Sequence, residues 1–452
     1  MTETRENAIV VGVQLPGVDD TEFEAGLGEL ERLVTTLGYV PMARVTQQRQ
    51  RLEPAAALGQ GKLEELAALT GGSGNPGQTG KLRPKRAPER RAERRGRGPD
   101  APAAAEGESA DTEPKVALVA VDHELSPSQA RNLERATGVP VLDRSGVIIE
   151  IFHRHAKSRE ARLQVEMARL AYQSPRVRES PSGKEKRAGR GAGEAAIEID
   201  RRRIRDRLAE LREQLAAVQR DQGVRRAQRK SARRVALVGY TNAGKSSLMR
   251  ALTGSGVLVE DKLFATLDTT VRALVPEVRP RILVSDTIGF IKKLPHDLVA
   301  SFKSTLDEAL EASLLLLVVD AADPAWESQL KVTEEVLAEI GAGSVPAQVV
   351  MNKIDRLPPE LLAERRAALR NAWFVSARSE SDVAFVHAEI VKFFEARYEH
   401  AELVVPYASQ RLIAELHETA RVDSEHYEED GVHVVVRAEP STLARFRAEL
   451  TR

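Results

Sequence analysis

The chain has 452 residues, more than one hydrophobic core normally organises, so two to four domains are expected. Its composition, 42% hydrophobic and 30% charged, is typical of a globular protein. Its longest apolar run, Leu314–Val319, is too short for a membrane span. Cysteine is absent, which excludes disulfides, thiolate metal sites and a cysteine nucleophile and fits a reducing cytoplasm.

Residues 1–152 are predicted to form an N-terminal α/β domain. Ile9–Val13 has the composition of a buried strand, and apolar residues from Phe23 to Leu37 recur at helical spacing until Gly38 ends the helix. The same criteria predict strands at 39–45 and 116–121 and helices at 62–69 and 126–137. This alternation of strands and helices is the basis of the α/β prediction.

An insertion interrupts this domain at about residues 71–114. It consists mostly of Gly, Pro, Ala, Arg and Glu, with almost no large apolar residue. Such a segment cannot bury enough surface to become ordered, so we expect it to be disordered. The preceding Gly59-Gln60-Gly61-Lys62 is too short for a phosphate-binding motif, and we interpret it as a turn before a helix.

Residues 153–232 are predicted to form an antiparallel helical hairpin. Apolar residues from Leu163 to Leu170 and from Ile204 to Val218 recur in steps of three and four, and a glycine-rich basic stretch separates them. Between Arg154 and Arg234 there are 24 Lys and Arg against 11 Asp and Glu, an excess of 13 in a chain of zero net charge. Either this segment contacts a polyanion, or it is a pair of amphipathic helices with solvated charges.

The next segment, 233–400, begins with a strand that leads into GYTNAGKS, which matches the phosphate-binding P-loop pattern. Its glycines let backbone N–H groups approach phosphate, Lys245 neutralises phosphate oxygens, and the Ser246 hydroxyl can bind Mg²⁺. The expected nucleotide-binding residues here are Gly239, Tyr240, Thr241, Asn242, Ala243, Gly244, Lys245, Ser246 and Ser247.

The sequence Asn352-Lys353-Ile354-Asp355 favours guanine over adenine. The Asp355 carboxylate can accept from guanine N1–H and the 2-amino group together, Asn352 can tether this loop to the P-loop, and the Lys353 stem can lie along the base. Further along, the segment Ser376-Ala377-Arg378 follows a short strand and can offer a backbone N–H to guanine O6.

Between these motifs lies Asp286-Thr287-Ile288-Gly289, which matches the DxxG pattern at the end of a strand. It places Asp286 near Mg²⁺ and the Gly289 amide near the γ-phosphate. A threonine from Phe264-Ala265-Thr266 and the residues after it should close over the metal; Thr266 is our choice, with Thr269 and Thr270 as alternatives. We therefore expect Lys245, Thr266 and Gly289 to act in hydrolysis, with Ser246 and Thr266 as metal ligands.

Phe290 follows the DxxG motif, where many GTPases carry a glutamine that orients the attacking water. We expect slow intrinsic hydrolysis, with water positioned by a cation, a backbone group or a partner. In a related group of GTPases, an asparagine at the position of Asn242 helps to hold a potassium ion. The alternative is that Asn242 only forms a hydrogen bond with the neighbouring loop.

The last segment, 401–452, is predicted to be a small acidic α/β domain with a helix at 409–419, a strand at 433–436 and a second helix. The predicted fold is therefore α/β, with a P-loop GTPase domain between an N-terminal α/β domain with its helical hairpin and a small C-terminal α/β domain.

The motifs resemble the HflX family of ribosome-associated GTPases. The resemblance rests on RNLERATGVPVLDRSGVIIEIFHRHAKSREARLQVEMARL, IEIDRRRIRDRL, VALVGYTNAGKSSL, LFATLDTT, DTIGFIKKLPHDLVASF and NKID. It implies a monomeric GTP- and Mg²⁺-binding factor that binds the large ribosomal subunit and its rRNA through the hairpin and splits or rescues stalled or idle ribosomes under stress. The hairpin tip, RAGRGAGEAAIE, lacks a proline and a threonine usual in the family.

Two alternatives remain beside this resemblance. One is a potassium-stimulated GTPase that acts in rRNA maturation, ribosome assembly or tRNA modification. The other is a switch that binds only protein, with the hairpin as a dimerisation coiled coil. The basic charge of residues 154–234 disfavours the second alternative, and the segments before the GTPase domain favour ribosome splitting over the first.

Overall fold

The computed structural model describes residues 6–76, 116–176, 191–227, 233–254, 263–264, 270–292 and 308–450. The chain divides into two compact units, Met1–Ile151 and Phe152–Arg452. None of the helices described in these ranges is long and apolar enough to cross a membrane. The fold class is α/β, as the sequence predicted.

The N-terminal unit is built on a four-stranded parallel sheet in the order β2-β1-β3-β4. Its central strand is buried on both faces because helices cover the sheet. The unit comprises β1 (Asn7–Gln14), α1 (Asp20–Thr36), β2 (Val40–Gln48), α2 (Gln60–Thr70), β3 (Val116–Val121), α3 (Pro127–Thr137), β4 (Val141–Asp143) and most of α4 (Arg144–His155).

The start of the predicted insertion is ordered, contrary to expectation. Gly74 N donates to Ala136 O of α3 at 3.0 Å, and a Cβ at Gly72 would lie 2.2 Å from the same oxygen. Residues 71–76 therefore lie against α3, and glycine at position 72 allows this close approach. The rest of the predicted insertion, 77–114, lies outside the described residues.

Two helices precede the P-loop segment, α5 (Arg159–Gln173) and α6 (Gly191–Ala227), and they pack against each other. Arg207 donates from Nη2 and Nε to Glu166 Oε1 at 2.8 and 3.0 Å, and Leu211 is fully buried. Because α6 begins at Gly191, residues 191–196 are helical, although their glycine content predicted part of a loop at the tip. The predicted tip residues 177–190 lie outside the described part.

The P-loop segment forms a six-stranded sheet in the order β10-β9-β8-β5-β7-β6, parallel except for β6. Along β5, Val235 and Leu237 join the core on one face of the sheet, and Ala236 and Val238 join the core on the other. The elements are β5 (Arg233–Gly239), α7 (Lys245–Thr253), β6 (Thr270–Ala273), β7 (Ile282–Asp286), β8 (Leu314–Asp320), α8 (Trp326–Glu339), β9 (Ala347–Asn352), α9 (Pro359–Ala368), β10 (Trp373–Phe374) and α10 (Glu380–Glu395).

The C-terminal segment forms a three-stranded antiparallel sheet in the order β11-β13-β12. Its elements are β11 (Glu399–Val405), α11 (Gln410–Thr419), β12 (Arg421–Glu428), β13 (Gly431–Ala438) and α12 (Pro440–Leu450). The sequence prediction missed β11 and β12. Strand β11 begins at Glu399, two residues before the expected boundary at 401.

Candidate nucleotide-binding site

The predicted nucleotide-binding motifs meet at one edge of the six-stranded sheet. The P-loop follows β5, the DxxG motif begins at the end of β7, and the Asn-Lys-x-Asp motif begins at the end of β9. Because β5, β7, β8 and β9 are parallel, their carboxyl ends lie at this edge. The chain passes from β5 to β7 on one side and β8 on the other, so the P-loop lies at the switch point where such sheets bind ligands.

Two P-loop positions require glycine. Gly239 has φ of 149°, and a Cβ there would lie 2.1 Å from Val318 O of the adjacent strand. Gly244 has φ of 94°, and a Cβ there would lie 2.2 Å from Asn352 Nδ2. The P-loop can therefore pack closely against β8 and against residues 352–355, the predicted guanine-binding loop, only because both side chains are absent.

Lys245 is buried at the start of α7. Its Nζ donates to the carbonyl oxygens of Gly239 and Tyr240, at 3.0 and 2.8 Å, which folds the P-loop around the amino group. The pKa of Lys245 is lowered to about 8, chiefly by burial; the charge of Asp286 opposes this shift, and the charge of Lys353 adds to it. A bound phosphate would favour the charged amine and would raise this pKa again.

Ser246 and Asp286 form the candidate Mg²⁺ site. Ser246 Oγ donates to Asp286 Oδ2 at 2.7 Å, and Asp286 is fully buried. A hydroxyl and a carboxylate held together beside a P-loop fit the oxygen ligands that Mg²⁺ prefers. The neighbouring Thr287 donates from Oγ1 to Leu237 O at 2.8 Å, which fixes the DxxG backbone to β5.

The P-loop is also joined to the DxxG segment through the backbone. Thr241 N donates to Phe290 O at 2.8 Å, and Phe290 N donates to Gly239 O at 3.0 Å. Beyond them, Lys292 N donates to the Tyr240 hydroxyl at 2.7 Å. These three bonds hold the two phosphate-facing segments in one arrangement.

Asn352 connects the guanine-binding loop to its neighbours. It is 1% exposed, its Nδ2 donates to Ala243 O at 3.0 Å, and its Oδ1 accepts from Ala377 N at 3.1 Å. Lys353, with φ of 63°, donates from Nζ to Asn242 O at 2.6 Å and to Asp320 Oδ2 at 2.7 Å. The bond from Lys353 uses the backbone oxygen of Asn242, so the side-chain amide of Asn242 is not needed for this contact.

The Asp355 carboxylate is held from one side. Ser376 Oγ donates to Asp355 Oδ1 at 2.7 Å, and Arg378 Nη1 lies 3.9 Å from Asp355 Oδ2. Ser376 N donates to Asp382 Oδ2 at 2.8 Å, and Ile354 packs into the core. The structure therefore brings Asn352, Asp355 and Ser376 together.

Comparison with known proteins identifies the family. A GTPase HflX from Gluconacetobacter diazotrophicus is 58% identical over 443 residues, which cover 98% of this chain and 97% of that protein. The chain belongs to the HflX family. A GTPase HflX from Magnetococcus marinus is 37% identical over 462 residues, covering 100% of this chain and 98% of that protein.

Three family profiles match successive parts of the chain. They are described as GTP-binding GTPase N-terminal at 24–74 and 103–153, GTP-binding GTPase Middle Region at 155–229, and 50S ribosome-binding GTPase at 234–353. A GTP-binding protein from Sulfolobus solfataricus in complex with GDP has a TM-score of 0.42 and 21% identity, covering 85% of this chain and 98% of that one. With the HflX relatives, the P-loop domain identifies the chain as an enzyme that hydrolyses GTP to GDP and phosphate.

The segment predicted to close over the metal is only partly described. Ala265, Thr266 and Thr269 lie outside the described residues, and Thr270 is the first residue of β6, paired with Asp286. Phe264 has φ of 58° and packs its ring edge-on against Phe152 of α4, with centroids 4.6 Å apart. Its side chain is therefore part of the core of this HflX protein, and the expected contact of Phe264 with the nucleotide stays a prediction.

The sequence prediction missed two acidic residues that support the site. Asp320 ends β8 and binds Lys353, and Asp382 in the first turn of α10 binds the backbone N–H of Ser376. An aspartate at the end of a strand parallel to β5 was a usable signal for the first. No motif in the sequence indicates Asp382, because it lies in α10 and its partner Ser376 lies in the preceding loop.

Phe290, the residue that replaces the expected glutamine, has its side chain in the core. It is fully buried in the cluster formed by Ala236, Val238, Leu317 and Trp326 on one face of the sheet. A ring in this position cannot contact a water molecule at the γ-phosphate. Water positioning in this HflX protein must therefore come from another group.

Proposed function

We propose that this HflX-family GTPase binds the large ribosomal subunit and uses GTP to split or rescue stalled or idle ribosomes under stress. We place it in the cytoplasm as a monomer, where GTP and ribosomes are present. The proposal is supported by the family membership and by the match of residues 234–353 to a family described as 50S ribosome-binding GTPases. The observation that carries it is the excess of 13 positive charges between Arg154 and Arg234.

The exposed surface of α6 supports contact with RNA. Arg202, Arg203, Arg205, Arg212 and Arg220 are exposed, whereas Leu211 is buried. Arginine on an exposed helix face is suited to bind phosphate oxygens in two parallel hydrogen bonds. We infer that the helical segment 153–232 is the RNA-binding part, and that the divisions 1–152, 233–400 and 401–452 correspond to separate domains.

The site residues receive roles from their positions. Mg²⁺ supplies charge neutralisation at the β- and γ-phosphates when bound, and we assign Ser246, Asp286 and Thr266 to hold it. Lys245 and the Gly289 amide stabilise the phosphate charge that develops during hydrolysis. Asp355 selects guanine. We assign Asn242 to a potassium ion, because the Phe290 side chain cannot position the attacking water.

Sedimentation with separated ribosomal subunits tests the ribosomal role. The protein bound to a non-hydrolysable GTP analogue should sediment with the large subunit, and GTP-dependent splitting should lower the light scattering of intact ribosomes. Replacing Lys184, Lys186, Arg187 and Arg190 with Ala should weaken this binding and flatten its salt dependence, by about 0.7–0.9 in log–log slope for each phosphate that the variant no longer neutralises. Nucleotide affinity should not change, because none of the four belongs to the nucleotide motifs.

A matched variant controls for the removal of charge alone. It replaces four exposed basic residues elsewhere, Arg281, Lys331, Lys392 and Arg411, with Ala. This control should bind the large subunit with the salt slope of the parent protein. Equal binding by both variants at every salt concentration would exclude the tip as the RNA contact. Preference for free rRNA or tRNA over the assembled subunit would favour the role in maturation or tRNA modification.

A further inference from the structure

Thr241, the third residue of the P-loop, has a buried hydroxyl group. The residue is 6% exposed, and its Oγ1 has no hydrogen-bond partner in the described part of the chain. Buried polar atoms in native proteins are almost always paired, so an unpaired hydroxyl in a binding loop is unusual. Its position indicates which ligand group could pair with it.

The Thr241 side chain lies at the γ-phosphate end of the P-loop. A Cβ placed on Gly289 would lie 2.8 Å from both Cα and Cγ2 of Thr241 and 3.0 Å from Lys245 Nζ. The Thr241 methyl group and the Lys245 amino group thus flank the same glycine, whose amide is assigned to the γ-phosphate. The next two residues, Asn242 and Ala243, accept through their backbone oxygens from Lys353 and Asn352 instead.

The surroundings also restrict how the hydroxyl can point. Threonine rotates little about its Cα–Cβ bond because Cβ is branched. Here the Cγ2 atom of Thr241 also packs against Gly289. The backbone N–H of Thr241 is already committed to Phe290 O, so the hydroxyl is the remaining donor of this residue. Phosphate oxygens only accept hydrogen bonds near neutral pH, so a hydroxyl at this place would donate to them.

We propose that Thr241 is a specificity-determining residue whose hydroxyl donates to a γ-phosphate oxygen, so that the loop prefers GTP to GDP. GDP has no γ-phosphate and leaves the hydroxyl unpaired. A site built to bond a group rejects an analogue that lacks it, because the buried polar atom is then left without a partner. The inference rests on the GTPase activity and is independent of the ribosomal role.

Affinities for GDP and for a non-hydrolysable GTP analogue, both fluorescently labelled and measured in Mg²⁺, test the proposal. Thr241→Val keeps the shape and removes the hydroxyl, so affinity for the GTP analogue should fall about 10- to 100-fold, as for other hydrogen bonds to charged groups. Affinity for GDP should stay within about twofold. Thr241→Ser keeps the hydroxyl and should retain the preference for the GTP analogue.

Two further measurements make the test independent of folding. If the valine variant does not fold, Thr241→Ala replaces it. This variant removes both the hydroxyl and the methyl group and should show the same drop in preference for the GTP analogue over GDP. The nucleotide-free valine variant should unfold at or above the temperature of the parent, because it no longer buries an unpaired hydroxyl. An unchanged ratio of the two affinities, or a lower turnover at an unchanged ratio, would overturn the proposal. In the second case the hydroxyl would act on the attacking water.

Discussion

Replacing Asn352 with alanine should destabilise the P-loop domain and weaken GTP and GDP binding equally. The substitution removes two hydrogen bonds and leaves Ala243 O and Ala377 N without their partner. Ala243 is almost fully buried, so leaving its carbonyl oxygen without a partner should cost about 1–3 kcal/mol of unfolding free energy. Leaving the partly buried Ala377 N–H without a partner should cost about 1 kcal/mol more. The expected decrease in unfolding free energy is therefore about 2–4 kcal/mol.

Tryptophan fluorescence can report this decrease selectively. The chain contains two tryptophans, Trp326 and Trp373, and both lie in the P-loop domain, so urea unfolding followed by their emission reports this domain alone. A matched control is Gln348→Ala, which removes side-chain bonds of 2.7 Å to Asn371 O and 3.1 Å to Val349 O at a half-buried position of the same domain. The control should be destabilised by at most about 1 kcal/mol.

Nucleotide affinity is the second measurement on the same pair of variants. Asn352 holds the guanine-binding loop against the P-loop, so its removal should weaken GTP and GDP alike by about tenfold or more, since the nucleotide must then order both loops. Gln348→Ala should bind both nucleotides as the parent does. If the midpoint of Asn352→Ala moved no further than that of Gln348→Ala, the tethering role assigned to Asn352 would be wrong.

Three further predictions concern the chemistry of the site. Binding of GTP at pH 8 should take up about half a proton, because the pKa of Lys245 is about 8 before the phosphate binds and is raised when it binds. The binding enthalpy should therefore depend on the ionisation enthalpy of the buffer, and an identical enthalpy in different buffers would contradict the prediction. Asp355→Asn should lower GTP affinity by more than about 100-fold, because guanine loses the charged acceptor of its two hydrogen bonds. The variant should favour xanthosine triphosphate in competition, because its amide donates where the carboxylate accepted, while Ser376 can still donate to the amide oxygen. Turnover should be faster in potassium chloride than in sodium chloride, and Asn242→Ala should abolish the difference; equal rates in both salts would refute the potassium site.

The sequence predicted the parts of the site that depend on short, contiguous motifs. Gly239, Gly244 and Asn352 each have a steric or hydrogen-bonding reason for their identity and a fixed place in a motif, so the motif itself carries the information. Phe264 was predicted to bind the nucleotide from its neighbours along the chain, and this stays a prediction; the packing of its ring against Phe152, more than a hundred residues earlier, was not predicted. Packing over this distance along the chain leaves no periodic signal.

The missed secondary structure has two different causes. Strand β11 alternates buried and exposed residues, with Ala401, Leu403 and Val405 inward, so its period was present in the sequence. Strand β12 is an edge strand with a mostly polar sequence, and only its pairing with β13 defines it. The helix at Gly191 shows the reverse error, because glycine content indicated a loop where the structure has a helix.

The bonds between the P-loop and Phe290 determine which parts of the site move together. Phe290 exchanges hydrogen bonds with Gly239 and Thr241, and its ring is fixed in the core, so the DxxG turn moves as one rigid body with the phosphate-binding loop. Ile291 is buried and Lys292 N donates to the Tyr240 hydroxyl, so this rigid part continues through Lys292. The phosphate-binding residues and the DxxG turn therefore keep their mutual arrangement whether or not a γ-phosphate is present, and they are already assembled for the next GTP.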